Sequence, residues 1–393
     1  MGTKRELAPT VAEVICSAQD GAVLDLFSGM CSVGEAIGPK RQVWANDVQV
    51  FAYEVATALL TTSESLINPS AASDLLFDDF ISHYFYLTNL LERQISIESD
   101  MLATTSFDLF NNAYSNLKNS IDIRLLQNEK VQFSLFTRTY SNTYFGLSQS
   151  IEIDAIRYAI EQSYLETRIS TEQRRWLLIS LGRAIIRSSN STGHFAQFLK
   201  PKAGSYRTFI NQRRRSIWDE WLLALSESSP IGNKEWRYKN RTYNENCLSL
   251  LPNLARLQEK PSVIYADPPY TDDQYSRYYH IFETLILYDY PEVTGGGLYR
   301  ENRFRTPFSI KSTAIHALQE LIKGVADLGS DIVLSYPNNG LVYAAGGDPY
   351  ELLRKSFRIV ECSHSIEHKH STFGASKGNA KSSVVEQIFV GRS

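Results

Sequence analysis

Asp267-Pro268-Pro269-Tyr270 follows directly on the apolar run Ser262-Val263-Ile264-Tyr265-Ala266. The run has the length and residue types of a buried strand. Proline fixes its own φ and pushes the residue before it out of the helical region. Asp267 and the carbonyl of Pro268 are therefore presented in a rigid geometry at a strand end. Two acceptors held this way suit an exocyclic amine, which offers two N–H groups, and Tyr270 can hold the flat ring that carries it.

A second strand-turn-helix unit lies near the N-terminus: Ala22-Val23-Leu24-Asp25-Leu26-Phe27, then Ser28-Gly29-Met30-Cys31-Ser32-Val33-Gly34. Gly29 permits a tight turn, and Ser32 is placed to cap the following helix. Such a turn lets backbone approach a bound nucleotide closely. The short strand Gln42-Val43-Trp44-Ala45 ends in Asn46-Asp47. An acidic residue about twenty positions beyond a glycine turn is placed to accept hydrogen bonds from ribose hydroxyls.

With both motifs in this order, the chain resembles the Dam-like N6-adenine-specific DNA methyltransferases, which use S-adenosyl-L-methionine and carry Asp-Pro-Pro-Tyr. The resemblance implies catalysis at Asp267, Pro268, Pro269 and Tyr270. It implies a cofactor site at Asp25, Phe27, Ser28, Gly29, Cys31, Asp47 and Asp267, with Asp47 on the ribose. Lys4, in Gly2-Thr3-Lys4-Arg5, matches a lysine that reaches the cofactor or the catalytic loop. Glu245 or Asn246, in Tyr243-Asn244-Glu245-Asn246-Cys247, stands where the family has a further acidic or amide ligand, and the choice stays open. One departure is Cys31, which replaces the second glycine of the turn. The resemblance covers roughly residues 1–60 and 235–393. The phrase Asp25-Leu26-Phe27-Ser28-Gly29 also resembles the carbon-5 cytosine methyltransferases, which need a cysteine preceded by proline. None of Cys16, Cys31, Cys247 and Cys362 follows a proline, so that reading fails.

The expected reaction is methyl transfer to the N6 amine of an adenine swung out of duplex DNA, since a stacked base cannot reach such a pocket. The amine is a poor nucleophile because its lone pair is delocalised into the ring. Hydrogen bonds accepted by Asp267 and the Pro268 carbonyl favour a pyramidal nitrogen, and Tyr270 stacks on the base for about 1–3 kcal/mol. Alternatives are N4-cytosine methylation, an RNA substrate, or a binding module that has lost activity through the altered turn.

With 393 residues, 43% hydrophobic and 21% charged, the chain has the size and composition of a globular catalytic core plus one further domain. Four scattered cysteines without a Cys-x-x-Cys spacing fit a reducing cytoplasm. No signal peptide and no 18-residue apolar span are expected. The spacing Cys362-x-His364-x3-His368-x-His370 could hold zinc, but it lies on an expected strand and turn, and methyl transfer needs no metal, so none is expected.

A net charge of −3 does not draw nucleic acid in bulk, so the distribution of charge matters more. Lys200, Lys202, Arg207, Arg213, Arg214 and Arg215 fall in one stretch without an acid. Arg300, Arg303 and Arg305 form a second run, with Lys311 beyond. Beside a base-modifying motif these read as phosphate contacts. A cognate restriction endonuclease is a possible partner, the other setting being a solitary modifier.

Strands are expected at 22–27, 42–46, 240–243, 262–266, 331–335, 357–361 and 384–390, with helices between them, such as 51–60 and 312–328. Alternation of this kind gives a mostly parallel α/β sheet. The resemblance makes it a Rossmann-like methyltransferase sheet whose last strand is antiparallel. Almost two hundred residues separate the second and third strands, too many for a connection. Residues 61–234 are read as an inserted, mainly helical target-recognition domain, leaving 1–60 and 235–393 as the catalytic domain. Tyr140–Gly146 is either an aromatic corner or a duplex-facing wedge. Residues 271–280 either line the base pocket or duplex, or start a helix with tyrosines in the core. Val293-Thr294-Gly295-Gly296-Gly297 reads as a hinge, and Ser335–Gly340 as a strand end near the target base.

Overall fold

The computed structural model describes residues 3–120, 131–369 and 383–392, without the side chains of 3, 4, 118–120, 368, 369 and 383. Among the described residues seven strands form one sheet: β1 (Val23–Asp25), β2 (Val43–Asn46), β3 (Arg241–Tyr243), β4 (Val263–Ala266), β7 (Asp331–Pro337), β8 (Ile359–Lys369) and β9 (Ser383–Arg392). A two-stranded hairpin of β5 (Val293–Thr294) and β6 (Tyr299–Arg300) lies apart from it.

The sheet order is β3-β2-β1-β4-β7-β9-β8. The first five strands pair in parallel. The last strand, β9, is antiparallel to both neighbours. Parallel strands covered on both faces read as near-continuous apolar runs. Every residue of β1, β2, β4 and β7 is accordingly buried. The helix Ala314–Leu328 buries Ala317, Leu318, Leu321, Ile322, Val325 and Leu328 at spacings of three and four. It ends at Gly329, whose φ of 74° suits a residue without a β-carbon.

The chain divides into two compact units. The first comprises Met1–Ser63, Pro230–Arg277 and Arg303–Ser393 and holds the sheet. The second comprises Glu64–Ser229 and Tyr278–Asn302. It is built from long helices, among them Pro69–Leu90, Leu147–Leu165 and Thr171–Ser188. Residues 278–302, expected with the sheet, group with the helices. Burial explains it: Arg157 donates to the Leu285 carbonyl, and Phe282 packs where a β-carbon on Gly182 would touch it at 3.4 Å.

Two local expectations change and one open choice is settled. Ser32 is the first helical residue and not the cap; Cys31 holds the cap position with φ 61°. The stretch from Val293 to Gly297 is half of the β5–β6 hairpin, with Gly295 at φ 71° making its turn. Tyr140, Tyr144 and Phe145 are fully buried, which decides for the aromatic corner. Among the described residues no helix is long and apolar enough to cross a membrane.

Candidate active site

The glycine turn is held by carboxylates. Asp25, almost fully buried, accepts the Phe27 N–H on Oδ1 at 3.2 Å. Asp47 accepts the Gly29 N–H on Oδ2 at 3.0 Å and the Gln49 N–H on Oδ1 at 2.9 Å. Gly29 takes φ 49°, and a β-carbon there would meet nothing within 4 Å, so the turn opens on free space. Beside it the Ser28 hydroxyl is buried and has no hydrogen-bond partner among the described residues. A buried hydroxyl without a partner is costly unless a ligand supplies one. The turn therefore fits a polar ligand laid against it.

Cys31 adopts the left-handed conformation expected of a glycine. Its thiol is fully buried and turned toward Gly34. Burial, then the charges of Asp25 and Glu35, raise its pKa well beyond the usual thiol range. It is a neutral packing group.

Asn46 ties β2 to the loop after β3. Its amide donates to the Leu26 and Glu245 carbonyls, each at 3.1 Å, and its oxygen accepts the Glu245 N–H at 3.1 Å. Asn246 caps the helix Cys247–Leu254 by accepting the Leu248 N–H at 3.1 Å. Glu245 accepts from Asn253 at 3.3 Å.

The Asp-Pro-Pro-Tyr corner arrives through β4. In the parallel register Asp25 faces Tyr265, and the Leu26 N–H donates to the Tyr265 carbonyl at 3.0 Å. β1 ends at Asp25 and β4 at Ala266, so Leu26-Phe27 and Asp267-Pro268 leave neighbouring parallel strands at the same, carboxyl edge. Asp267 and Pro269 are half-buried, while Pro268 and Tyr270 are buried. The Tyr270 ring stands edge-on to Tyr275 and Tyr336, each 6.3 Å away, and its carbonyl accepts from Leu341 at 2.9 Å. Burial, reinforced by the negative charge of Asp267, raises the Tyr270 phenol pKa and keeps it protonated.

A further wall was not legible in the sequence. Phe308 meets Phe27 edge-on at 5.7 Å. The loop carrying it is bound to the segment after Tyr270. Gln274 accepts the Thr306 N–H at 2.9 Å, Ser309 donates to the Asp273 carbonyl at 3.2 Å, and Ser276 donates to the Phe304 carbonyl at 2.9 Å.

Residues 1–330 match the model of the D12 class N6 adenine-specific DNA methyltransferases. The chain belongs to that family. Among curated relatives, it is 25% identical over 344 residues to the modification methylase LlaI of Lactococcus lactis subsp. lactis, covering 87% of this chain and 46% of that protein. It is 25% identical over 405 residues to the type II methyltransferase M.FokI of Planomicrobium okeanokoites, covering 99% and 52%. It is 21% identical over 398 residues to the type II methyltransferase M.CviAII of Paramecium bursaria Chlorella virus 1, covering 99% and 96%. The chain thus spans about half the length of the first two relatives.

In this D12-class chain the basic residues divide. Lys200, Lys202, Arg207, Arg214, Arg215 and Arg305 are exposed, and Arg303 is half-buried. Arg214 donates to the Leu102 carbonyl at 2.6 Å, and Arg215 pairs with Glu220 at 3.2 Å. Two expectations are corrected. Arg213 is buried and donates to the Thr143 carbonyl at 2.8 Å. Arg300 is buried and forms a two-pronged pair with Asp289, both arms at 2.7 Å. Both guanidiniums serve the interior and not a duplex. Ser335 is fully buried and bonded to the Tyr265 hydroxyl at 3.1 Å, while Asn338 and Asn339 after it are exposed. The Lys4 side chain, the His368 side chain and His370 lie outside the described residues. Cys362 and His364 are exposed on β8.

Proposed function

We propose that this chain transfers a methyl group from S-adenosyl-L-methionine to the N6 amine of an adenine extruded from duplex DNA, at specific sequences. The single observation that supports the reading is the parallel pairing of β1 with β4, from whose carboxyl ends the glycine turn and the acidic corner leave. The strand order reverses between β1 and β4. In open α/β sheets ligands bind outside the carboxyl ends of the strands at that switch point. The same order supports a Rossmann-like sheet, and the family's chemistry supports the cofactor.

S-adenosyl-L-methionine, when bound, supplies an electrophilic methyl on its sulfonium. In this reading Asp25, Phe27, Ser28 and Gly29 hold its amino-acid side and Asp47 its ribose. Glu245 is favoured over Asn246 as the further ligand, because the Asn246 oxygen is already used as a helix cap. Asp267 and the Pro268 carbonyl would accept hydrogen bonds from the two amine N–H groups, and of these only the carboxylate can take up the one proton the nitrogen sheds as it gains the methyl and the methyl–sulfur bond breaks. Tyr270 holds the base. Positioning of this kind removes several kcal/mol of barrier. Residues 61–234 with 278–302 act as the target-recognition part, and the exposed lysines and arginines there bind phosphates. A restriction endonuclease of matching specificity is the proposed partner, since the relatives are named modification methylases or type II methyltransferases.

The test is expression in a methylation-free host with single-molecule mapping of modified bases. N6-methyladenine in a defined context supports the proposal. With Asp267→Ala the mark should disappear while cofactor affinity stays within a few-fold. Persistent methylation by that variant rejects the role given to the corner.

A further inference from the structure

Residues 189–199 form a surface loop of the second unit that is clamped from inside. Ser191 and Phe198 are bridged antiparallel, and the Leu199 N–H donates to the Asn190 carbonyl at 2.7 Å. The Phe195 N–H donates to the Tyr278 carbonyl at 3.0 Å. Three side chains then converge on two successive carbonyls. The Tyr144 hydroxyl and His280 Nε2 reach the Phe195 carbonyl, at 2.5 and 2.9 Å, and the Tyr299 hydroxyl reaches the Ala196 carbonyl at 2.5 Å. A carbonyl only accepts, so His280 carries its proton on Nε2. His194 closes the loop internally, accepting the Ala196 N–H on Nδ1 at 3.2 Å and contacting the Thr192 hydroxyl through Nε2 at 3.2 Å.

His194, Phe195 and Ala196 are therefore buried, and the next side chain, Gln197, is exposed. Leu199, Lys200 and Lys202 follow it on the surface. Two tyrosine hydroxyls and an imidazole spent on fixing a surface loop give it a pre-organised backbone, the condition for a side chain that must meet a ligand in one geometry. A glutamine amide offers a donor and an acceptor side by side, matching N6 and N7 of an adenine in the major groove, while lysines hold phosphates without reading sequence.

We infer that Gln197 is a specificity-determining residue that reads one base edge of the DNA site, with Lys200 and Lys202 anchoring the backbone beside it. Tyr144, His280 and Tyr299 are its positioning residues. The inference rests on the DNA-methylating reading above, and two readouts keep their failures apart.

The full chain and its Gln197→Ala, Lys200→Ala and Tyr299→Phe variants are assayed on duplexes substituted at each base pair, at several salt concentrations, with melting temperatures recorded. Gln197→Ala should lose roughly ten- to hundredfold discrimination at one position, with unchanged melting and salt slope. Tyr299→Phe should weaken discrimination at that same position. Lys200→Ala should weaken binding equally on all sequences and reduce the salt slope by about 1. An unaltered sequence preference in Gln197→Ala overturns the inference. So does a uniform loss with a smaller slope, which makes it a phosphate contact, or a loss that follows a lowered melting temperature. A wild-type chain that modifies no adenine overturns the function itself and takes this inference with it.

Discussion

The sulfur of Cys31 lies 2.7 Å from where a β-carbon on Gly34 would sit. The two residues share one volume, so the cysteine in the turn and the glycine in the following helix are a matched pair. Gly34→Ala should cost about 1–3 kcal/mol, the usual penalty for overpacking. Cys31→Gly relieves a left-handed conformation costing about 1–2 kcal/mol but vacates the thiol's space, so alone it should be near neutral. In combination it should recover most of the Gly34→Ala loss. Urea unfolding of the four proteins checks this as a coupling energy; additive losses would show that the pair does not interact.

Asp47 holds the glycine turn by accepting the Gly29 N–H on Oδ2 and its own following loop by accepting the Gln49 N–H on Oδ1. Asp47→Ala frees the Gly29 and Gln49 N–H groups and removes the ribose acceptor proposed above. Cofactor affinity, measured calorimetrically, should fall at least tenfold, since hydrogen bonds to a charged group contribute about 1.5–3 kcal/mol. Asp47→Asn keeps one acceptor oxygen and should retain more affinity than alanine.

Asp154, fully enclosed in the second unit, accepts the Phe136 and Thr137 N–H groups at 2.9 and 2.7 Å as well as the Tyr288 hydroxyl. Burial outweighs these donors and lifts its pKa from 3.8 to about 7. The folded form thus holds a proton that the unfolded chain releases. Its stabilisation is present below about pH 4 and is lost as the pH rises through 7. Thermal melts between pH 5 and 8 should show wild type falling relative to Asp154→Asn; parallel curves would refute the shift.

Arg213 and Arg207 belong to one basic stretch yet should behave oppositely. Arg213→Ala removes a buried guanidinium bonded to Thr143 and lying over Phe209 at 4.8 Å. It should lower the melting temperature with the salt dependence of DNA binding unchanged. Arg207→Ala should leave melting alone and reduce the salt slope by about 1.

Sequence by itself determined the elements that depend on local pattern. Apolar runs such as Val263–Ala266 and Asp331–Ser335 are buried on both faces, so hydrophobic continuity alone marks them as parallel strands. Asp267-Pro268-Pro269-Tyr270 carries its own rigidity in its two prolines. Asp47 was marked by its spacing from the glycine turn and Asp25 by the family resemblance, and both carboxylates bond backbone N–H groups of that turn. Tertiary structure decided what depends on residues distant in sequence. Arg213 and Arg300 read as surface charge until Thr143 and Asp289 are seen beside them. Phe308 lies far along the chain from Phe27, with nothing local to announce their contact. Charge and aromaticity state what a side chain can do, but whether water or protein surrounds it is fixed only when remote segments pack.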